Sequence, residues 1–489
     1  MNIFSPKKTS LLLDGLLWTL MALLVFLSVL YYQERIIFTD TAYYAYTLAE
    51  GKTWLVPTNR YISLLSQCLP LAAIHLHLPL RVVLLAYSLN FILIPVSCAA
   101  ICRYVFKNQA VALSILLFYL LMNNLLFYYP VSEFQMGLCL LFVYHAYMLQ
   151  HFGSSSTPKI VPFIIVQLLL LTTIIFSHPL SVYVWLAWLI GLLLFFRPAR
   201  KPVLGVAVIV AVVATWARDH FWPARVGDVA YDEKKKQGLY QFLNHPLDHY
   251  NPHLGKEWFG WIQSDYFMMA GLWLLLVILL LATKKRRATG YFVLVTLAFA
   301  ALVLVSFAES NYNHYIEHLL QPLPFFIALF AGYAVVQWSG KPGARVPVIF
   351  ILLVVCTISL AKINSSHRSF TERLAWYQRY LQYMDKQGIY NGALDPKYIL
   401  FDDIDFYWAD VPESRLLSSL EGANKTKTLK LQWNRNHLKS DTAKGSLKQG
   451  VYFLECSYPY IILDEFAEPG YLDQLVHPRS LQQSKNTIN

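Results

Sequence analysis

The stretch KKTSLLLDGLLWTLMALLVFLSVLYYQERIIFTDTAYYAY, Lys7 to Tyr46, decides the architecture. Its apolar run, Leu11 to Tyr32, is longer than the roughly 18–20 residues an α-helix needs to cross about 30 Å of hydrocarbon. Lys7 and Lys8 precede it as they would a secretory signal, but the run is too long for one. No small-residue cleavage site follows, so an uncleaved first span is predicted. Lipid leaves no partner for unpaired backbone groups, and helices therefore do the spanning.

The same pattern continues outward from this run. Of 489 residues, 56% are hydrophobic and 14% charged, and the apolar residues fall in runs rather than at amphipathic spacing. Further spans are predicted at about 82–102, 109–128, 134–150, 160–177, 180–196, 203–218, 266–283, 290–308, 315–337 and 346–362, about eleven with the first. The weaker stretch Tyr61 to Leu78, broken by Pro70 and Pro79, suits a helix lying at the membrane surface.

An N-terminus in the cytoplasm puts the following groups there: Lys7 and Lys8, Arg103 and Lys107, Lys159, Arg197 with Arg200 and Lys201, Lys284 to Arg287, and Lys341 with Arg345. Every cytoplasmic loop then carries positive charge, as the positive-inside rule requires. The formal charge of +11 is accounted for in this way. No soluble segment shows a basic stripe with interleaved aromatics, and nucleic acid is excluded as a partner. The six cysteines are scattered and show neither zinc spacing nor a disulfide framework.

The reading is an all-α polytopic membrane domain over residues 1–362, with a small soluble α/β domain over 363–489 on the extracytoplasmic side. In the latter, β-type runs at 398–401, 429–433, 451–454 and 460–463 alternate with helix-like stretches such as 371–386. Polar chemistry collects on the extracytoplasmic face. Asp40 follows the first span closely and has two readings: a base for an acceptor hydroxyl, or the N-cap of a helix over 41–50. Glu133 opens the span at 134 and either serves the same site or is a solvated residue favoured by the helix dipole. Arg60, Arg81, His178 and His314 fall at the external rim. There an arginine fork suits a lipid phosphate, although snorkelling to headgroups explains any single rim arginine.

Several of these features together resemble the C-type glycosyltransferases, the branch of protein O-mannosyltransferases and lipid A aminoarabinose transferases. They are Asp40 after the first span, Gly51-Lys52-Thr53-Trp54-Leu55-Val56-Pro57, the 61–78 surface stretch, Arg81, Glu133 in the next external turn, and His314-Tyr315 ahead of Gln321-Pro322-Leu323-Pro324. Thr41 stands where that family usually has a second acid, and His314 where it often has arginine. The resemblance implies transfer, with inversion, of a sugar from a polyprenyl-phosphate donor to a glycan, lipid or protein acceptor outside the cytoplasmic membrane. It implies Asp40 and Glu133 as catalytic carboxylates, Asp40 as the base and Glu133 orienting the acceptor or helping to bind a divalent ion, with Arg60, Arg81, His178, His314 and Tyr315 binding substrate. It leaves the cofactor open and admits a divalent cation. Competing readings are a transporter or flippase for lipid-linked glycans, a glycan polymerase or ligase, and a membrane-anchored scaffold. Transporters place ionisable groups near the midplane, whereas here they gather at one rim.

Overall fold

The computed structural model describes residues 6–56, 60–153, 160–195, 201–220, 244, 252–306, 317–341, 343–394, 409–422, 426–431, 446–449, 452–455 and 461–462. By contacts along the backbone the chain divides into two compact units. One comprises Met1–Leu30, Trp54–Cys68 and Leu89–Ser365; the other comprises Tyr31–Thr53, Leu69–Ser88 and Ser366–Asn489. The tail that the sequence sets apart at 363 thus folds with the segment Tyr31–Thr53 as one body.

The first unit is helical. Its elements are α1 (Pro6–Leu30), α5 (Gln109–Leu121), α6 (Glu133–Gly153), α7 (Ile160–Ile175), α8 (Pro179–Phe195) and α9 (Lys201–His220), then α10 (Pro252–Ser264), α11 (Phe267–Ala282), α12 (Arg286–Ser306), α13 (Pro322–Ser339) and α14 (Arg345–Ser365). Helices α2 (Thr39–Gly51), α3 (Ser63–His75) and α4 (Leu80–Ala100) lie earlier in the chain, α4 ending in a π-turn over Ile101–Val105. Among the described residues, five helices are long and apolar enough to cross a membrane, or six if α10 and α11, bent by 88°, form one span. Five shorter apolar helices, α3 among them, are also found among the described residues. The architecture is that of an all-α membrane protein. Leu294 at 71% exposure and Leu11 at 70% belong to a broad apolar surface of the kind a bilayer covers.

Helix α5 is the core of this unit and is buried from Ala110 through Leu121. It packs against α13 where small residues meet: a Cβ at Gly332 would collide with the Ser114 hydroxyl and the Ala110 carbonyl. Small side chains let two backbones close together, which is how apolar helices gain dispersion contacts in lipid. The sequence predicts a span over 109–128, but the helix stops at Leu121 and the chain runs on irregularly, mostly buried, to Ser132. Irregular backbone at depth needs internal partners, and here they come from far along the chain. The Glu317 carboxylate accepts the N–H groups of Asn124 and Leu125 at 3.1 Å and of Leu126 at 2.6 Å. Gln321 Nε2 donates to the Met122 carbonyl at 3.0 Å.

One charge inside the first span is likewise satisfied. Asp14 accepts a two-pronged ion pair from Arg103 at 2.6 and 2.7 Å, and Gln109 Nε2 donates to it at 2.8 Å. Arg103, counted in the sequence among cytoplasmic basic groups, has this acid as its partner.

The second unit holds α2, α15 (His367–Lys386), α16 (Asp410–Ser419) and a parallel sheet ordered β2-β1-β5, with β1 Asn391–Leu394, β2 Thr428–Leu431 and β5 Ile461–Ile462. A hairpin of β3 (Ser446–Gln449) and β4 (Tyr452–Glu455) lies within the same stretch of chain. The predicted helix at 371–386 and the runs at 429–433, 451–454 and 460–463 match α15, β2, β4 and β5. The run at 398–401 lies outside the described residues. Strand β1, Asn391-Gly392-Ala393-Leu394, is invisible to pattern because it is buried at all four positions and has no alternation.

Edge strand β2 is closed by a helix rather than by another strand. Asp410, Ser414 and Ser418, one turn apart along α16, accept the N–H groups of Leu431, Leu429 and Lys427. Alternate amides on a strand edge repeat at a spacing that side chains at i and i+4 can follow, so three polar residues replace a strand on that side of β2.

Candidate functional site

Asp40 belongs to the second unit. The residue at the N-cap of α2 is Phe38, in extended conformation with φ −111° and ψ 117°, and its side chain makes no cap. Capping is supplied instead by Glu413 on α16, whose Oε1 accepts the Thr39 N–H at 3.0 Å. The reading of Asp40 as N-cap is therefore corrected: Asp40 stands in the first turn, half-buried. Glu413 is itself gripped by Arg373 on α15, with Nη2 at 2.7 Å from both carboxylate oxygens. Both side chains are fully buried. The guanidinium lies 5.2 Å from the Phe38 ring and 5.5 Å from Tyr377. Burial pushes the Glu413 carboxyl up to about 7, with Arg373 and the Thr39 N–H pulling the other way. Arg415 adds a second tie to α2, donating to the Tyr46 hydroxyl at 2.7 Å.

The turn that this clamp holds is strained. Thr39 has φ +41°, a left-handed conformation that a β-branched residue seldom adopts. The hydroxyls of Thr39 and Thr41, either side of Asp40, are buried without a hydrogen-bond partner among the described residues. Such a conformation costs on the order of 1–3 kcal/mol and persists only where surrounding structure over-determines it. Here that structure is the Arg373–Glu413 pair.

The first unit brings four other predicted or neighbouring groups together. Glu133 opens α6 at 3% exposure and pairs with Arg60 Nη1 at 3.1 Å, so it is not the solvated residue of the second reading. Arg60 follows a segment pinned to α3, where Gln67 Oε1 accepts the Leu55 N–H at 2.8 Å. Ser132 caps α6 by accepting the Gln135 N–H at 3.1 Å, and its hydroxyl shares a hydrogen bond with His318 Nδ1 at 2.9 Å. The Phe134 ring packs 4.7 Å from His178 and 6.1 Å from His318, and the two imidazoles are 5.4 Å apart. His178 Nδ1 accepts the Leu180 N–H at 3.2 Å.

Arg81 is exposed in the first turn of α4 and belongs to the second unit. His314 and Tyr315 lie outside the described residues. Sequence reasoning passed over Glu317, His318 and Glu413. A buried acid beside a histidine just ahead of a proline-capped span was the available signal for the first two. Glu413 offers none locally, because what it binds is 374 residues away. Among the described residues, no group of three or more His, Cys, Asp or Glu is placed to hold a metal ion. Comparison with family models, characterised proteins and solved structures returns no match.

Proposed function

We propose that the chain is a membrane glycosyltransferase of the C-type, with about eleven spans, moving a sugar from a polyprenyl-phosphate donor to an acceptor on the extracytoplasmic face. Asp40 takes the proton of the acceptor hydroxyl as its oxygen bonds to the sugar's anomeric carbon. The bond from that carbon to the lipid phosphate breaks with inversion, and the phosphate leaves with the electron pair. Within the first unit, Arg60 and the imidazoles of His178 and His318 have the chemistry to bind a phosphate. Glu133 orients Arg60 through their ion pair.

The observation that favours this reading is the division of labour at α2. A carboxylate in the first turn of a helix ordinarily satisfies an open N–H, but here a carboxylate from the tail does so. Asp40 sits half-buried in that turn, beside Thr39 in its left-handed conformation. The test is Asp40→Asn in full-length protein, assayed for transfer from a radiolabelled polyprenyl-phosphate sugar. A base that cannot take the proton loses about 10²–10⁴ in rate, with membrane level and thermal stability unchanged. An Asn variant that transfers normally removes Asp40 from the mechanism.

A further inference from the structure

At the other end of α6 and α13 from the histidine cluster lies a cavity of about 290 Å³ among α8, α11, α12 and α13. His145 in its wall is twelve residues along α6 from Glu133, about 18 Å at 1.5 Å per residue. None of the groups given a part in transfer lines it.

Three features define what it can hold. The first is its length. Its α13 wall runs from Phe326 to Trp338, about 18 Å, against about 15 Å for half the hydrocarbon of a bilayer. Over most of that length the walls are Leu, Phe and Trp, which gain dispersion from a hydrocarbon chain. The second is charge at one end only. Lys285 lines the mouth, exposed, with Nζ 3.5 Å from Gln337 Oε1, and it belongs to the run Lys284-Lys285-Arg286-Arg287, exposed at all four positions. Lys341 lies 4.5 Å over the Trp338 ring at the same end. The third is a band of polarity one helical turn deeper. Tyr333 precedes Gln337 by four residues, and its hydroxyl bonds His145 Nε2 at 2.8 Å, while Trp188 Nε1 donates to His145 Nδ1 at 2.9 Å.

The far wall is braced open. Tyr291 donates to the Ala187 carbonyl at 2.6 Å and lies so near Gly191 that a Cβ there would come within 2.6 Å of its hydroxyl. Charge at the surface, polarity just beneath and hydrocarbon below follow the order of a glycerophospholipid: phosphate, ester, acyl chain. Basic pockets between membrane helices recognise such headgroups.

We propose that this cavity is a lipid site that takes one acyl chain of an anionic glycerophospholipid, with the phosphate received by Lys285 and its basic neighbours. The site is independent of the transferase reading and stands or falls without it. An isoprenyl phosphate shares the anion and the chain but has no ester to meet the Tyr333–His145 band.

The test is native mass spectrometry of the detergent-purified full chain, titrated separately with phosphatidylglycerol, with phosphatidylcholine of the same chains, and with farnesyl phosphate. One phosphatidylglycerol should be retained, at least about fivefold more tightly than either of the other two, the scale of a single basic group at a membrane surface. Lys285→Glu, at an exposed position that leaves the fold alone, should weaken it by about fivefold or more. Ala334→Trp, which fills the cavity, should abolish it. Equal retention of phosphatidylcholine, tighter retention of farnesyl phosphate, or an unchanged titration in Lys285→Glu overturns the proposal. So does undiminished binding in a folded Ala334→Trp. If that variant does not fold, Lys285→Glu decides alone.

Discussion

Removing Glu413 should loosen the Asp40 turn and the tail together, and the structure sets the size of the effect. Glu413→Ala leaves Arg373, with 0% of its side chain exposed, as an uncompensated buried cation, which costs about 3–5 kcal/mol. It also uncaps α2 at Thr39, for about 0.5–2 kcal/mol more. At about 2–4 °C per kcal/mol for a unit of this size, the melting temperature of that unit should fall by about 7–28 °C. The charge term disappears if both partners become apolar, because a buried ion pair replaced by well-packed hydrophobic residues is often neutral or stabilising by about 1–4 kcal/mol. Arg373→Met with Glu413→Leu should therefore recover most of the loss and leave only the cap term. Thermal unfolding of the detergent-solubilised full chain, followed by hydrogen exchange at the amides of α2 and α15, reads both variants. A single variant as stable as the parent, or a double variant no better than the single, would refute the assignment of the pair as the clamp on this turn.

Glu317→Ala should expose residues 122–132 to proteolysis and speed their exchange, since three N–H groups, those of Asn124 and Leu126 buried, lose their acceptor, at about 1–3 kcal/mol for each buried one; unchanged protection there counts against the carboxylate as their partner. Gly332→Leu should destabilise the first unit by about 1–3 kcal/mol through overpacking against α5, read as a drop in detergent melting temperature, and a neutral result would mean that the two helices are not in close contact. A reporter active only outside the cytoplasm should be active when fused after Asn489 and silent at Thr283, and the reverse pattern would overturn the orientation drawn from the basic loops.

The membrane class was legible in the sequence because hydrocarbon thickness is a one-dimensional length requirement that a single apolar run such as Leu11 to Tyr32 either meets or fails. The helix at 371–386 and the strands near 429, 452 and 461 were legible for a related reason, since period and β-branching are local properties of the chain. The loop topology put Arg60 and Glu133 on one face without pairing them, and the fold brings them to 3.1 Å. What local pattern could not carry is where an element stops when a distant side chain decides it. Residues 109–128 read as one continuous apolar span, yet the helix ends at Leu121 because Glu317, 193 residues beyond Asn124, accepts the amides of the irregular segment that follows. Asp40 read as a helix cap on the sequence, and only the folded chain supplies a different cap from Glu413, 374 residues from Thr39. In both places the local sequence fixed a polar requirement, an open N–H that burial obliges the protein to satisfy. Which carboxylate meets it was settled by tertiary packing, since hydrogen bonds of that separation leave no trace in composition or period.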